Sequence, residues 1–156
     1  MLVPGDLESR TGGYVYDRRI IDGLRARGWS VSVGALDGSF PFPTREAHEH
    51  AARLLAGIGD DGLVLIDGLA FGAMAEEAER ERARLRIVAL VHHPLGAETG
   101  ITIEQSIEFE ASERRALACA RLVVVTSRAT RESLARYCVP PDRIVVVEPG
   151  TDLPLP

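Results

Sequence analysis

Residues 86–94 read R-I-V-A-L-V-H-H-P, and the reading of this stretch decides the fold. Its centre, 87–91, is an apolar run too short for a lone buried helix. It suits a strand covered on both faces, as in a parallel sheet. The run then stops on two histidines and a proline. In an open parallel α/β sheet, ligands bind beyond the carboxyl ends of the strands, so a titratable pair in that place marks a candidate site.

Working outward, the flanking segments alternate between strand and helix patterns. Residues 1–4 open as a strand and lead into the loop G-D-L-E-S-R-T-G-G at 5–13. Residues 14–27 read as a helix, with Tyr16, Ile20 and Leu24 at i, i+4 spacing, and Gly28 stands where a left-handed cap is needed. Residues 29–36 (W-S-V-S-V-G-A-L) alternate like a second strand, followed by a turn-rich loop carrying Phe40 and Phe42, which can pack in the core or form an apolar lip. Thr44 caps a helix to about Leu55. Residues 63–66 form a third strand. Residues 70–84 form a helix with Glu76/Arg80 and Glu79/Arg82 pairs on a solvated face.

After the opening strand come a loop at 95–102, a helix at 103–120, a strand at 122–126, a helix at 127–137 and a last strand at 144–147. Strict alternation of strands and helices predicts an α/β fold: a Rossmann-like, doubly wound parallel sheet of about six strands in an α/β/α sandwich. The tail T-D-L-P-L-P at 151–156 reads as the start of a linker leading out of a domain that spans 1–150.

At 156 residues, 46% hydrophobic and 26% charged, the chain is the size of one globular domain. It contains no apolar run near the ~20 residues needed to cross a bilayer. Cys119 and Cys138 are too few for a disulfide framework and read as thiols of a reducing compartment, which places the protein in the cytoplasm. A net charge of −5 argues against nucleic acid as a partner. All 18 basic residues are arginine, so Schiff-base and P-loop lysine chemistry are excluded from this chain.

With the common strand order 3-2-1-4-5-6, the switch point falls between the first and fourth strands. The glycine loop and His92-His93, 80 positions apart, would then meet over one crevice. Thr11-Gly12-Gly13 before a helix is an anion cradle or a simple turn. It is not the dinucleotide fingerprint, because G-x-G-x-x-G is absent. His92 and His93 point to opposite sides if strand geometry persists, so that one faces the crevice and the other bonds within the loop. Glu98 follows in the same loop. Ser127 is a helix cap at a strand end, where a ligand can also be met. His48 and His50 read as surface residues. The four histidines lack metal-ligand spacing, and no metal site is expected.

T-G-G-Y at 11–14, V-H-H-P at 91–94, L-V-V-V-T-S at 122–127 and R-I-V-V-V-E-P-G-T-D at 143–152 occur in that order. Together they resemble the N-terminal half of the group 1 (family 4) glycosyltransferases. The resemblance implies a two-domain GT-B enzyme that transfers a sugar from a nucleotide-sugar to an acceptor hydroxyl. It further implies retention of anomeric configuration, and neither a metal ion nor another cofactor. It assigns Gly12 and Gly13 to the loop that touches the donor diphosphate and His92 to the catalytic position facing the donor sugar. His93 occupies the more variable next position. Gly150-Thr151-Asp152 resembles the junction into the second domain, whose donor-binding residues this sequence lacks, so the chain alone is expected to be inactive. Two departures stand out. Glu148-Pro149 replaces the usual asparagine, and Cys138 sits where a helix stop prefers glycine.

Alternatives are a sugar-nucleotide 2-epimerase-like half and a non-catalytic binding or assembly module; a nicotinamide dehydrogenase lacks its fingerprint. Expected partners are the nucleotide-sugar, an unidentified acceptor and the second domain. Peripheral membrane contact and a homodimer are left open.

Overall fold

The computed structural model describes residues 1–151, so the expected linker lies outside the described residues apart from Thr151. Six strands form one parallel sheet: β1 (Leu2–Pro4), β2 (Gly34–Leu36), β3 (Leu63–Asp67), β4 (Arg86–Val91), β5 (Leu122–Val125) and β6 (Ile144–Val146). Between them run α1 (Gly12–Ala26), α2 (Arg45–Ala56), α3 (Gly68–Phe71), α4 (Ala75–Glu81), α5 (Ile103–Cys119) and α6 (Arg128–Ser133). The Rossmann-like α/β class is as the alternation predicts.

The lateral order is not 3-2-1-4-5-6 but β2-β1-β3-β4-β5-β6. β1 pairs with β3 through Leu2↔Ile66, and β3 pairs with β4 from Leu63↔Arg86 to Asp67↔Leu90. The switch point therefore lies between β1 and β3, and the carboxyl end of β3 is inserted between the glycine loop and the histidines. With right-handed crossovers, the leftward step from β1 to β2 puts α1 on one face. The rightward steps put the other helices on the opposite face. There Ala47, Ala51 and Leu55 of α2, Ala78 of α4 and Ala116 and Leu117 of α5 bury Val64, Ile66, Ile87, Ala89 and Val123. α1 covers its face only in part. Its Ile20 and Leu24, with Leu65, Val88 and Val124, line an apolar groove of ≈ 670 Å³.

The second strand and the helix at 70–84 depart from expectation. Only Gly34–Leu36 of the predicted second strand pairs, because its sole neighbour, β1, is three residues long. Trp29 is left 55% exposed. The predicted helix at 70–84 is two pieces. Asp67 Oδ1 accepts from Leu69 N at 2.8 Å and starts the first turn early. Gly72 then closes on Leu95, to which an added Cβ would stand 2.6 Å from Cδ1. Of the two predicted ion pairs, Glu76–Arg80 forms at 3.0 Å. Glu79 instead reaches Arg115 of α5 at 2.8 Å, tying neighbouring helices at the surface.

The caps behave as the residue types dictate. Thr44 accepts from Ala47 N, and Thr102 forms a capping box with Gln105. Gly28 sits at φ +85. Cys138 follows α6 and the 3-10 turn Leu134–Tyr137 at φ 58, the left-handed region where any side chain is strained. Phe40 is core, whereas Phe42 is half-exposed with its ring 5.2 Å from Phe109.

Candidate functional site

α1 is fixed over the carboxyl ends of the strands by its tyrosines. Tyr14 Oη donates to Pro4 O at 2.7 Å, and Tyr16 Oη donates to Val147 O at 2.7 Å. The loop before it is held by Arg18, whose guanidinium donates to the Leu7 carbonyl and to Ser9 O at 3.2 Å. Thr11 caps the helix by accepting from Tyr14 N. Gly13, Asp17 and Ile21 follow at i, i+4 on one face, which turns Asp17 inward until it is fully buried. Gly12 and Gly13 are not demanded by the fold. A Cβ at Gly12 would meet nothing within 4 Å, and one at Gly13 would make only ordinary contact, 3.6 Å from His92 Cδ2. What the glycines leave open is access to the N–H groups of the first turn, in which no acidic side chain stands.

β3 and β4 deliver the other wall. Asp67 ends β3 at 3% exposure, and His92 follows β4 directly. His92 Nε2 lies 3.0 Å from Asp17 Oδ1 and 3.5 Å from Asp67 Oδ2. Its ring stands edge-on to Tyr16 with centroids 5.3 Å apart. The His92 carbonyl accepts from Thr130 Oγ1 at 3.2 Å, tying the strand end to α6. Burial alone would lower the imidazole pKa, but the two carboxylates override it and hold the ring at about 9. Asp17 is pushed up, first by burial and then by Asp67, against the pull of His92. Asp17 Oδ2 is buried without a hydrogen-bond partner.

His92 and Asp67 floor a cleft of ≈ 270 Å³, bounded by Thr11, Gly13 and Tyr14 on one side and by His93 and Glu98 on the other, with Leu69 between them; Asp17 is buried behind it. The cleft thus combines a protonated imidazole, carboxylates and an open helix N-terminus, groups that hydrogen-bond hydroxyls and anions.

Residues 63–154, more than half of the chain, match the model of Glycosyltransferase Family 4. The chain belongs to glycosyltransferase family 4. It is a group 1, N-terminal-type glycosyltransferase domain, as the motif order implied. No curated protein matches it. The match begins at β3, so His92, His93, Glu98 and Ser127 fall inside it, whereas the glycine loop and Asp17 fall outside.

In this family 4 domain the glycine loop and the histidines meet although β3 separates their strands. Gly13, His92, His93 and Glu98 line the cleft, with Gly12 beside it at the helix start. Both histidines line the cleft, where adjacency alone places only one: His92 also turns its Nε2 to the carboxylates, while His93 Nε2 donates to Ala97 O at 2.9 Å within the loop. Ser127 does not line the cleft. Its Oγ accepts from Thr130 N at 3.0 Å and bonds Thr130 Oγ1 at 2.8 Å, so it caps α6. His48, read as a surface residue, is half-buried, with Nδ1 3.0 Å from the buried Glu77.

Asp17 and Asp67 are the residues that sequence reasoning missed. Asp67 carried the signal that singled out His92, a polar residue at a strand's carboxyl end, here followed by glycine. Asp17 carried a fainter one, a charge four residues after Gly13 on an inward helix face. The ligand atoms of Asp17, Asp67 and His92 lie within 4.8 Å of one another, close enough to hold one divalent cation. Such an ion would have to displace a proton held with a pKa of about 9.

Proposed function

We propose that this domain forms the acceptor-side wall of a retaining sugar-transfer site, in which a nucleotide-sugar donates its sugar to an acceptor hydroxyl without a metal ion, in the cytoplasm. A second α/β domain would close the cleft and hold the nucleotide. The observation that carries this reading is the Asp17–His92–Asp67 cluster beneath the glycine loop. A histidine with a pKa of about 9 is an imidazolium at neutral pH, so it donates hydrogen bonds and cannot act as the base that removes the acceptor proton. That favours electrostatic stabilisation of a departing diphosphate over base-driven inversion.

In this mechanism the first-turn N–H groups at Gly12 and Gly13 hold the diphosphate, and the α1 dipole offsets its charge. His92 donates to a hydroxyl of the donor sugar. Asp17 and Asp67 keep the ring protonated and oriented. Glu98 and His93 stand at the open side, where an acceptor would approach.

The test has two arms. Titrating the 156-residue chain with UDP-glucose, UDP-N-acetylglucosamine and GDP-mannose should move the Gly12 and Gly13 amide and His92 imidazole NMR signals with at least one donor. No response to any of them would overturn the donor assignment. The chain alone should transfer no sugar, and turnover by it would overturn the need for a second domain. In a two-domain form, His92→Ala should remove transfer with folding intact, and near-normal turnover would sink the role given to His92.

A further inference from the structure

The 3-10 turn Leu95–Ala97 begins directly after His92-His93-Pro94 and ends at Glu98, so its seat determines where His93 and Glu98 stand. The seat is α5. Leu95 is fully buried, and its N–H donates to Glu113 Oε2 at 3.0 Å. Tyr137 donates its hydroxyl to the same carboxylate, and Ser106 Oγ donates to Gly96 O at 2.5 Å. The packing is close. A Cβ at Gly96 would stand 3.1 Å from Ser106 O and 3.3 Å from Tyr137 Oη, and one at Gly72 would stand 3.2 Å from Glu113 Cγ.

Glu113 is 1% exposed, on a helix whose other buried residues are Phe109, Ala116, Leu117 and Cys119. An apolar residue would fill that place without the desolvation a carboxylate suffers. It would also leave the buried Leu95 N–H with no acceptor.

We infer that Glu113 is a positioning residue of the cleft: through Leu95 N–H and the Tyr137 hydroxyl, its carboxylate fixes the Leu95–Ala97 turn and thereby the placement of His93 and Glu98. The inference rests on the sugar-transfer reading only for its functional consequence. The linkage itself is a property of the chain.

The carboxylate also changes charge near neutrality. Burial lifts Glu113 to about 7; Tyr137 and Leu95 pull it down, while Glu110 on its own helix and Glu98 from the loop push it up. Arg114, 3.0 Å from Glu110, and Arg136, 3.9 Å from it, are the cations paired with that residue among the described residues. On α4, Glu79 pairs with Arg115 at the surface, and the buried Glu77 is bonded to His48. Ionised, Glu113 accepts from both partners. Protonated, it must donate one bond, so Tyr137 has to exchange its donor role for an acceptor one. The turn therefore has two hydrogen-bonded arrangements on either side of neutral pH.

The test uses the 156-residue chain with Glu113→Gln and Glu113→Ala. In the wild type, the Leu95 and Gly96 amide NMR signals should share a pH step with its midpoint near 7, and Glu113→Gln should abolish it. Glu113→Ala should shift the Leu95–Glu98 amides at every pH and speed Leu95 hydrogen exchange roughly tenfold or more, the loss expected for a charge-assisted bond. If Glu113→Ala folds and leaves the Leu95–Glu98 and His93 signals in place, the residue is merely structural and the inference fails. If that variant does not fold, the Gln series decides: a wild-type step that survives Glu113→Gln, or no step at all, overturns it. None of these readouts depends on a nucleotide-sugar, so failure of the sugar-transfer reading would leave them unchanged.

Discussion

Replacing Asp17 by asparagine keeps the shape of the side chain and removes one of the two charges that face His92 Nε2. The rise of the ring from 6.5 to about 9 corresponds to about 3 kcal/mol in favour of the imidazolium. Because burial opposes that rise, the carboxylates together supply more than this net figure. Asp17 is the nearer, at 3.0 Å against 3.5 Å, so it supplies the larger part. The His92 midpoint in Asp17→Asn should therefore fall by about 2 units, to near the ordinary histidine value. Two-bond proton–nitrogen NMR spectra of the imidazoles, recorded from pH 5 to 10, read the midpoint directly. Stability gives an independent check. A histidine whose folded pKa is raised contributes stability that is present in full below about 6.5 and lost as pH rises through about 9. Wild-type urea unfolding should lose up to about 3 kcal/mol across that window, less whatever the ring's partial exposure screens. Asp17→Asn should be nearly flat there. A wild-type midpoint at or below 6.5, or a shift of less than half a unit on substitution, would refute the electrostatic argument for this site.

Two further substitutions separate structural from cleft residues. Ser127→Ala should cost about 1 kcal/mol by thermal or urea unfolding, the usual worth of an N-cap, with the His92 and His93 imidazole signals unmoved; a shift in those signals would contradict its assignment as a cap alone. Cys138→Gly relieves a non-glycine residue at φ 58 and should raise stability by about 1 kcal/mol; an unchanged unfolding midpoint would mean that the left-handed turn is not strained.

The parts of the fold legible in the sequence are those fixed by burial and local chemistry. β4 could be read because a strand covered on both faces must be apolar along its whole length, and α1 because its i, i+4 stripe ends on Gly28. Lateral strand order could not be read. Hydrophobic period reports which faces are covered, not which edges pair, and β1 with its three residues gives almost no register signal. The break between α3 and α4 was hidden for a related reason: the A-E-E-A-E-R-E-R run is helical by propensity, but Gly72 closes on Leu95, a residue more than twenty positions later. Asp17, Asp67 and Glu113 were hidden because acidic residues in helices and at strand ends are solvated far more often than buried. Only the convergence of three elements distinguishes these from their neighbours.

That convergence bears on why the cluster exists. Taking charges out of water costs several kcal/mol each, and a well-packed apolar trio in the same place is often neutral or stabilising by comparison. Here one imidazolium serves two carboxylates, which push against each other, and Asp17 Oδ2 is buried with no hydrogen bond from a donor, so the network is poorly satisfied. Stability therefore gives no reason for these three residues, whereas Ser127 and Thr44 are explained fully by the backbone groups they cap. Perturbed ionisable groups gathered in a cleft at the ends of parallel strands are the pattern of a site whose charge is used. The argument has a measurable edge: Asp17→Leu and His92→Phe together with Asp67→Asn, which removes all three buried charges while filling their volume and keeping the cap on Leu69 N, should be at least as stable as the wild type. A loss of more than about 2 kcal/mol would mean that the cluster holds the fold together, and that its place at the cleft is incidental.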